Sequence, residues 1–180
     1  MIKSLVLFLR KKAIKKSLQR KRVPIMPELN KYPVVSILID ENQKHLLKDI
    51  ENAMKTLFNP KRYRFIILND VLPDNYLLSD TILFLTKDDF NFWGVLRNDK
   101  MILLKSFADD LFVNLTDSQD DMLNDYIVSM INSNFKVGGV KNNPDLYDFI
   151  FNYGIEKNNV ERLKIIKKYL LMLSGNKDEK

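Results

Sequence analysis

Residues 34–68 read VVSILIDENQKHLLKDIENAMKTLFNPKRYRFIIL, and this stretch decides the fold class. Val34–Ile39 is a short, largely β-branched run that closes on Asp40-Glu41-Asn42, the polar signature of a loop at the carboxyl end of a buried strand. Leu46, Leu47, Ile50, Ala53, Met54 and Leu57 then recur with a period near 3.6 over residues 45–58, which predicts an amphipathic helix ending before Asn59-Pro60. Tyr63–Leu68 is the next strand. Strand, helix and strand in this order form a βαβ unit, and such units build parallel sheets through right-handed crossovers.

Downstream, the pattern continues. Residues 71–80 read as a loop or short helix, Thr81–Leu85 as a strand, and Lys87–Arg97 as a polar-aromatic connection around Phe90, Phe92, Trp93 and Gly94. Met101–Leu104 is expected to be another short strand, and Leu111–Leu115 a clear buried one. Thr116, Asp117 and Ser118 offer capping side chains ahead of a helix at 119–132, Phe135–Gly138 reads as a strand, Leu146–Tyr153 as a last strand, and 159–173 as a final helix. With 46% hydrophobic residues in 180, the chain supports one sizeable core. The expectation is a three-layer α/β domain over 34–174, with a Rossmann-like or flavodoxin-like, mostly parallel sheet.

A basic segment precedes that domain. Ile2, Leu5, Val6, Leu9, Ala13 and Leu18 recur at helical spacing, predicting a helix over 2–21 within a basic segment 1–22, and Pro24 and Pro27 make 23–33 an extended connector. Residues 1–22 hold nine Lys and Arg and no acid. The remaining 20 basic residues face 23 acids, so the rest of the chain carries about −3 and the net charge of +6 belongs to the arm. Residues 175–180 are expected to fray.

Absences exclude several chemistries. No cysteine means no disulfide framework, thiolate zinc site or cysteine nucleophile, and fits a reducing compartment, so the cytoplasm is expected. The apolar run Leu5–Leu9 is too short for a spanning helix and lacks the pattern of an export signal. His45 is the only histidine, which removes a histidine-rich metal site; its place at a helix start reads as a solvated helix-end residue. The five glycines are too few and wrongly spaced for a dinucleotide fingerprint or P-loop. No catalytic residue, cofactor or metal is assigned.

Three features remain as leads. Arg10, Lys11, Lys12, Lys15, Lys16, Arg20, Lys21 and Arg22 cover much of the predicted helix and suit the phosphates of a structured RNA, ribosomal RNA included. They equally suit an anionic membrane into which Leu5, Val6, Phe8 and Leu9 insert, or a solvated face whose apolar side packs on the domain. Asp40 and Asp117 stand at predicted strand ends where open parallel sheets bind ligands, and two carboxylates there suit a magnesium ion, although Asp is also common in caps and turns. Trp93 with Phe90 and Phe92 reads as core or as a stacking platform.

The stretch LFVNLTDSQDDMLNDYIVSMINSNFKVGG, with FNFWG at 90–94 and Tyr147-Asp148, resembles an uncharacterised bacterial family of small α/β proteins over most of residues 34–173. That resemblance implies a fold and brings no activity. Asp110, Asn114, Leu115, Val137 and Gly138 are also similar in order and spacing to the acceptor half of heptosyltransferase-like glycosyltransferases. Those enzymes need a second domain for the sugar nucleotide, for which 180 residues leave no room, so this likeness implies the fold and not the reaction. Together these readings point to a non-catalytic binding protein whose arm docks on RNA or the ribosome while the domain contacts protein. The alternatives are membrane attachment, or a magnesium-dependent or glycosyltransferase-like enzyme using Asp40 and Asp117.

Overall fold

The computed structural model describes residues 2–175 except 20–21, 32, 71, 73–78, 118–120, 141 and 153–157. Six strands, β1 (Val34–Asp40), β2 (Arg62–Leu68), β3 (Ile82–Leu85), β4 (Asp109–Asn114), β5 (Ser133–Gly139) and β6 (Phe149–Phe151), form one sheet in the order β3-β2-β1-β4-β5-β6. Every pairing is parallel, with Ile37 opposite Phe65 on one side and Val113 on the other. This order, 3-2-1-4-5-6, is that of a doubly wound Rossmann sheet, in which the chain reverses direction between β1 and β4.

Helices cover both faces. α2 (Leu47–Phe58) and α5 (Asn159–Leu173) pack through Ile50, Met54, Phe58, Leu163, Ile166 and Leu170 onto the face carrying Val35, Ile37, Ile39, Phe65 and Val113. On the other face, Leu38, Ile66 and Phe112 meet α4 (Asp121–Met130) through Tyr126 and Ile127, α3 (Asn98–Ser106) through Leu104, and α1 (Ile2–Leu18) through Ile14. The alternation of odd and even strand residues between two apolar clusters is the period-two signature of a sheet covered on both sides. α1 runs along α4, and Ser17 Oγ donates to the Ser129 carbonyl at 2.7 Å.

The structure corrects one expected strand. Residues 101–104 lie inside α3, because a four-residue apolar run carries too little periodicity to distinguish the two states. Only Leu104 of that run is buried, while Ile102 and Leu103 point outward. The expected strand at 146–153 shrinks to Phe149–Phe151, since Asn143-Pro144 opens a 3-10 turn through Leu146. The helix expected over 2–21 ends at Leu18, and Ser118, most of the 71–80 segment and residues 176–180 fall outside the described residues.

Polar residues on the α1/α3/α4 face of the sheet terminate helices. Arg64, 4% exposed, donates from Nη1 to the Leu103 carbonyl at 2.7 Å and from Nη2 to Leu104 at 2.9 Å, satisfying the last turn of α3. Its Nε donates to Ser36 Oγ at 2.8 Å, and Ser36 in turn donates to Asp109. Lys136, 5% exposed, donates from Nζ to Val128 at the end of α4, and burial pushes its pKa down to about 8. Burial raises the Asp109 carboxyl to about 6, opposed by the charge of Arg64. A second network holds the ends of β4 and β5. Asn114 Nδ2 donates to Tyr147 Oη at 2.7 Å, and the Thr116 hydroxyl and amide donate to Asn114 Oδ1. The Tyr147 ring lies where a side chain on Gly138 would be, since a Cβ there would sit 2.6 Å from ring carbons.

Two outcomes follow. Gly138→Ala must displace the Tyr147 ring and its bond to Asn114; a loss of about 1–3 kcal/mol is expected from overpacking, read as a lower urea midpoint with unchanged slope. For Asp109, the folded pKa of about 6 lies above the ordinary 3.8, so between these values the folded state binds the proton more tightly. This group therefore adds stability as the pH falls through about 6 and withdraws it as the pH rises. Urea titrations of wild type and Asp109→Asn from about pH 4 to 7.5 should show that limb flattened in the variant.

Candidate functional site

The loops after β1 and β4 leave the sheet in opposite directions, and open α/β sheets bind ligands in the crevice this creates. A cleft of about 940 Å³ lies along the carboxyl ends of β1, β2 and β3. Asp40, Glu41 and Asn42 line it after β1, Leu68, Asn69 and Asp70 at the end of β2, and Leu85, Thr86 and Lys87 at the end of β3. Asp117 follows β4, while Phe90 and Arg10 close one wall with Leu123 of α4.

The structure brings Asp40 and Asp117 together, through the backbone of one and the carboxylate of the other. The Asp117 amide donates to Asp40 Oδ2 at 2.7 Å. The Asp117 carboxylate accepts from Arg162 Nη1 at 2.9 and 3.1 Å and from Gln43 Nε2 at 3.2 Å. Gln43 also donates to the Leu115 carbonyl and accepts the Asp40 amide, so it ties the 3-10 turn Glu41–Leu46 to the end of β4. Among the described residues no group of three or more His, Asp or Glu is placed to hold a metal ion. His45 sits exposed in the same 3-10 turn, away from the cleft lining.

The eight basic residues expected to contact nucleic acid divide sharply. Arg10 turns inward: its Nε donates to the Gly94 carbonyl at 3.1 Å and its guanidinium lies over the rings of Phe90 and Tyr126, at 5.5 and 5.7 Å. Arg22 donates to the carbonyls of Ser133 and Asn134, both at 2.8 Å, and pairs with Asp148. Lys11, Lys12, Lys15 and Lys16 stay exposed on the outer surface of α1, and Arg20 and Lys21 lie outside the described residues. The inward face of α1 is Val6, Arg10, Ala13, Ile14 and Ser17, spaced as one helical stripe.

Nearer its start, the outer side of α1 carries Leu5, Leu7 and Phe8, the last 60% exposed. The segment 90–94 abuts this part of the helix, since a Cβ on Gly94 would lie 2.4 Å from Val6 Cγ1. Gly94 has φ +68°, a left-handed conformation that glycine tolerates, and a turn closed by the Asn91 carbonyl presents Phe92 and Trp93 outward. Their rings stack edge to face at 5.2 Å and are 69% and 47% exposed. Of the three aromatics in question, Phe90 joins the core while Phe92 and Trp93 form an exposed pair.

Sequence reasoning missed Gln43, Arg162 and Phe90 as parts of the cleft and its support. Gln43 and Arg162 hide in polar helical stretches, and only the register of β4 against β1 brings them to Asp117. No curated protein and no solved structure matches the chain. A family profile covers residues 7–173, taking in most of α1 and the whole sheet, and by that match the chain belongs to a family of unknown function, DUF6913.

Proposed function

We propose that this protein docks peripherally on an anionic membrane surface through α1 and the Phe92–Trp93 turn. The observation that carries this reading is the combination of exposed apolar side chains and lysines on α1 and on the turn that packs against it. Leu5, Leu7, Phe8, Phe92 and Trp93 are each exposed, the turn carrying the last two meets α1 where Gly94 approaches Val6, and Lys11, Lys12, Lys15 and Lys16 follow along the same helix. Aromatic and aliphatic side chains at the level of the head groups, with lysines on the phosphates, are the components of an interfacial anchor. Each lysine near an anionic surface contributes roughly 1 kcal/mol. None of the described helices is long and apolar enough to cross a membrane, so attachment in this reading is to one leaflet, the anionic cytoplasmic one.

RNA docking rests on the same four lysines, joined by an aromatic pair on which a base stacks. It is weakened because Arg10 and Arg22, the described arginines of the arm, already donate to backbone carbonyls of the domain. The likeness to the acceptor half of a glycosyltransferase supplies no reaction here, since Asn114 and Gly138, two of the residues that carry it, serve the packing of Tyr147.

Co-sedimentation of the full chain with vesicles of phosphatidylcholine, alone or mixed with phosphatidylglycerol, tests the reading against retention on immobilised RNA. Binding is expected only to the anionic vesicles. It should fall at least tenfold in Phe8→Ser/Trp93→Ser, and as far in Lys12→Glu/Lys15→Glu, with both variants folded by circular dichroism. RNA retention without vesicle binding, or vesicle binding that ignores Phe8 and Trp93, overturns it. Gly94→Ala, which pushes a methyl group against Val6, should weaken vesicle binding while leaving every lysine and exposed ring in place.

A further inference from the structure

The cleft at the carboxyl ends of β1–β3 has a character opposite to that of α1. In sequence, the connections that follow β1, β2 and β4 (residues 41–46, 69–81 and 115–120) contain six acids and one lysine, Lys44. Among the described residues, Asp40, Glu41, Asp70 and Asp117 line the cleft with Arg10 and Lys87. Both cations are engaged, and so are two of the acids, Asp70 with Lys87 and Asp117 with Arg162. Lys87 Nζ lies 2.9 Å from Asp70 Oδ2, and Arg10 is held at the Gly94 carbonyl between two rings. Glu41 is exposed at the mouth and accepts one long bond, 3.4 Å, from the Asp70 amide.

The walls are apolar. Leu85 is buried and Leu68, Phe90 and Leu123 are half-buried, so the cavity offers low-dielectric sides beneath an acidic rim. Four carboxylates against two cations leave the lining net acidic, and such a field beside apolar walls concentrates cationic ligands. Its volume of about 940 Å³ falls within the range of small-molecule sites. Phosphate ligands are disfavoured on two counts. The carboxylates repel them, and no glycine occurs before Gly94, so the turn after β1 lacks the close backbone approach that a phosphate cradle needs.

We propose that this cleft binds an amphiphilic organic cation, with an amine head against Glu41 and Asp40 and an apolar body along Leu68, Leu85 and Phe90. The site is distinct from the lysine-bearing surface of α1 and does not depend on membrane docking. Arg10 nevertheless joins the two, because it lines the cleft from the inner face of the helix whose outer face carries the lysines.

Isothermal titration of the full-length protein with phenethylamine and tryptamine, set against phenylpropionate and AMP as anionic probes, decides the matter. Saturable binding of at least one amine is expected, with both anions at least tenfold weaker. Glu41→Gln should lower amine affinity about tenfold at low salt and much less at high salt, as expected for a screened charge at the cleft mouth. Phe90→Leu should lower it without changing the salt dependence. Preference for AMP or phenylpropionate overturns the proposal, as does amine binding indifferent to both substitutions. So does the absence of saturation by either amine up to about 10 mM, roughly ten times a Kd of about 1 mM.

Discussion

The fold depends on two cations buried in the sheet. Arg64 on β2 and Lys136 on β5 point from the sheet into the same layer, and each ends a helix by donating to its last carbonyls. A helix leaves about four carbonyls without partners at its carboxyl end, where its dipole is negative, so a cation at that point meets both needs. The desolvation cost is visible in the lowered pKa values of both side chains. Placing α3 and α4 in this way fixes everything stacked above them. The Leu96 amide donates to the Tyr126 hydroxyl of α4, the Tyr126 ring carries the guanidinium of Arg10, and Arg10 joins α1 to the wall of the cleft. The route from sheet to helix to arm to cleft is one chain of contacts.

Much of this architecture was legible in the residues. Val34–Ile39, the helix after it and Tyr63–Leu68 have unmistakable periods, and a parallel sheet followed from their order. Strand order was not, because it depends on which edge each crossover reaches. Met101–Leu104 misled because an apolar tetrad suits either state, and its place in α3 depends on Arg64 accepting the role of terminal cap from a strand distant in sequence. In YRFIIL and NFKVGG the lone cation looks like an interruption of the apolar run, and nothing local reveals that it faces a helix end.

The candidate sites were legible in part. Asp40 and Asp117 were correctly placed on one rim, but Arg162, which neutralises Asp117, comes from the last helix and leaves no trace in local pattern. Within the arm, net charge made all the cations look alike. The structure separates them by chemistry: the described arginines, with planar forks suited to carbonyls and rings, donate to carbonyls of the domain, while the five described lysines remain in water. A reading that weighed residue type beside charge would have found that division.

The packing of α1 on α4 changes what kind of segment the arm is. Ile14 and Ala13 cover the apolar layer that holds Tyr126 and Ile127, and Arg22 holds the edge where β5 and β6 begin. The basic helix is thus part of the wall of the building and not a flag hung outside it. A chain cut after the arm would uncover a greasy strip along α4, and such a fragment would tend to stick to its own copies. The inner face of this helix is bound to keep step with the domain beneath it.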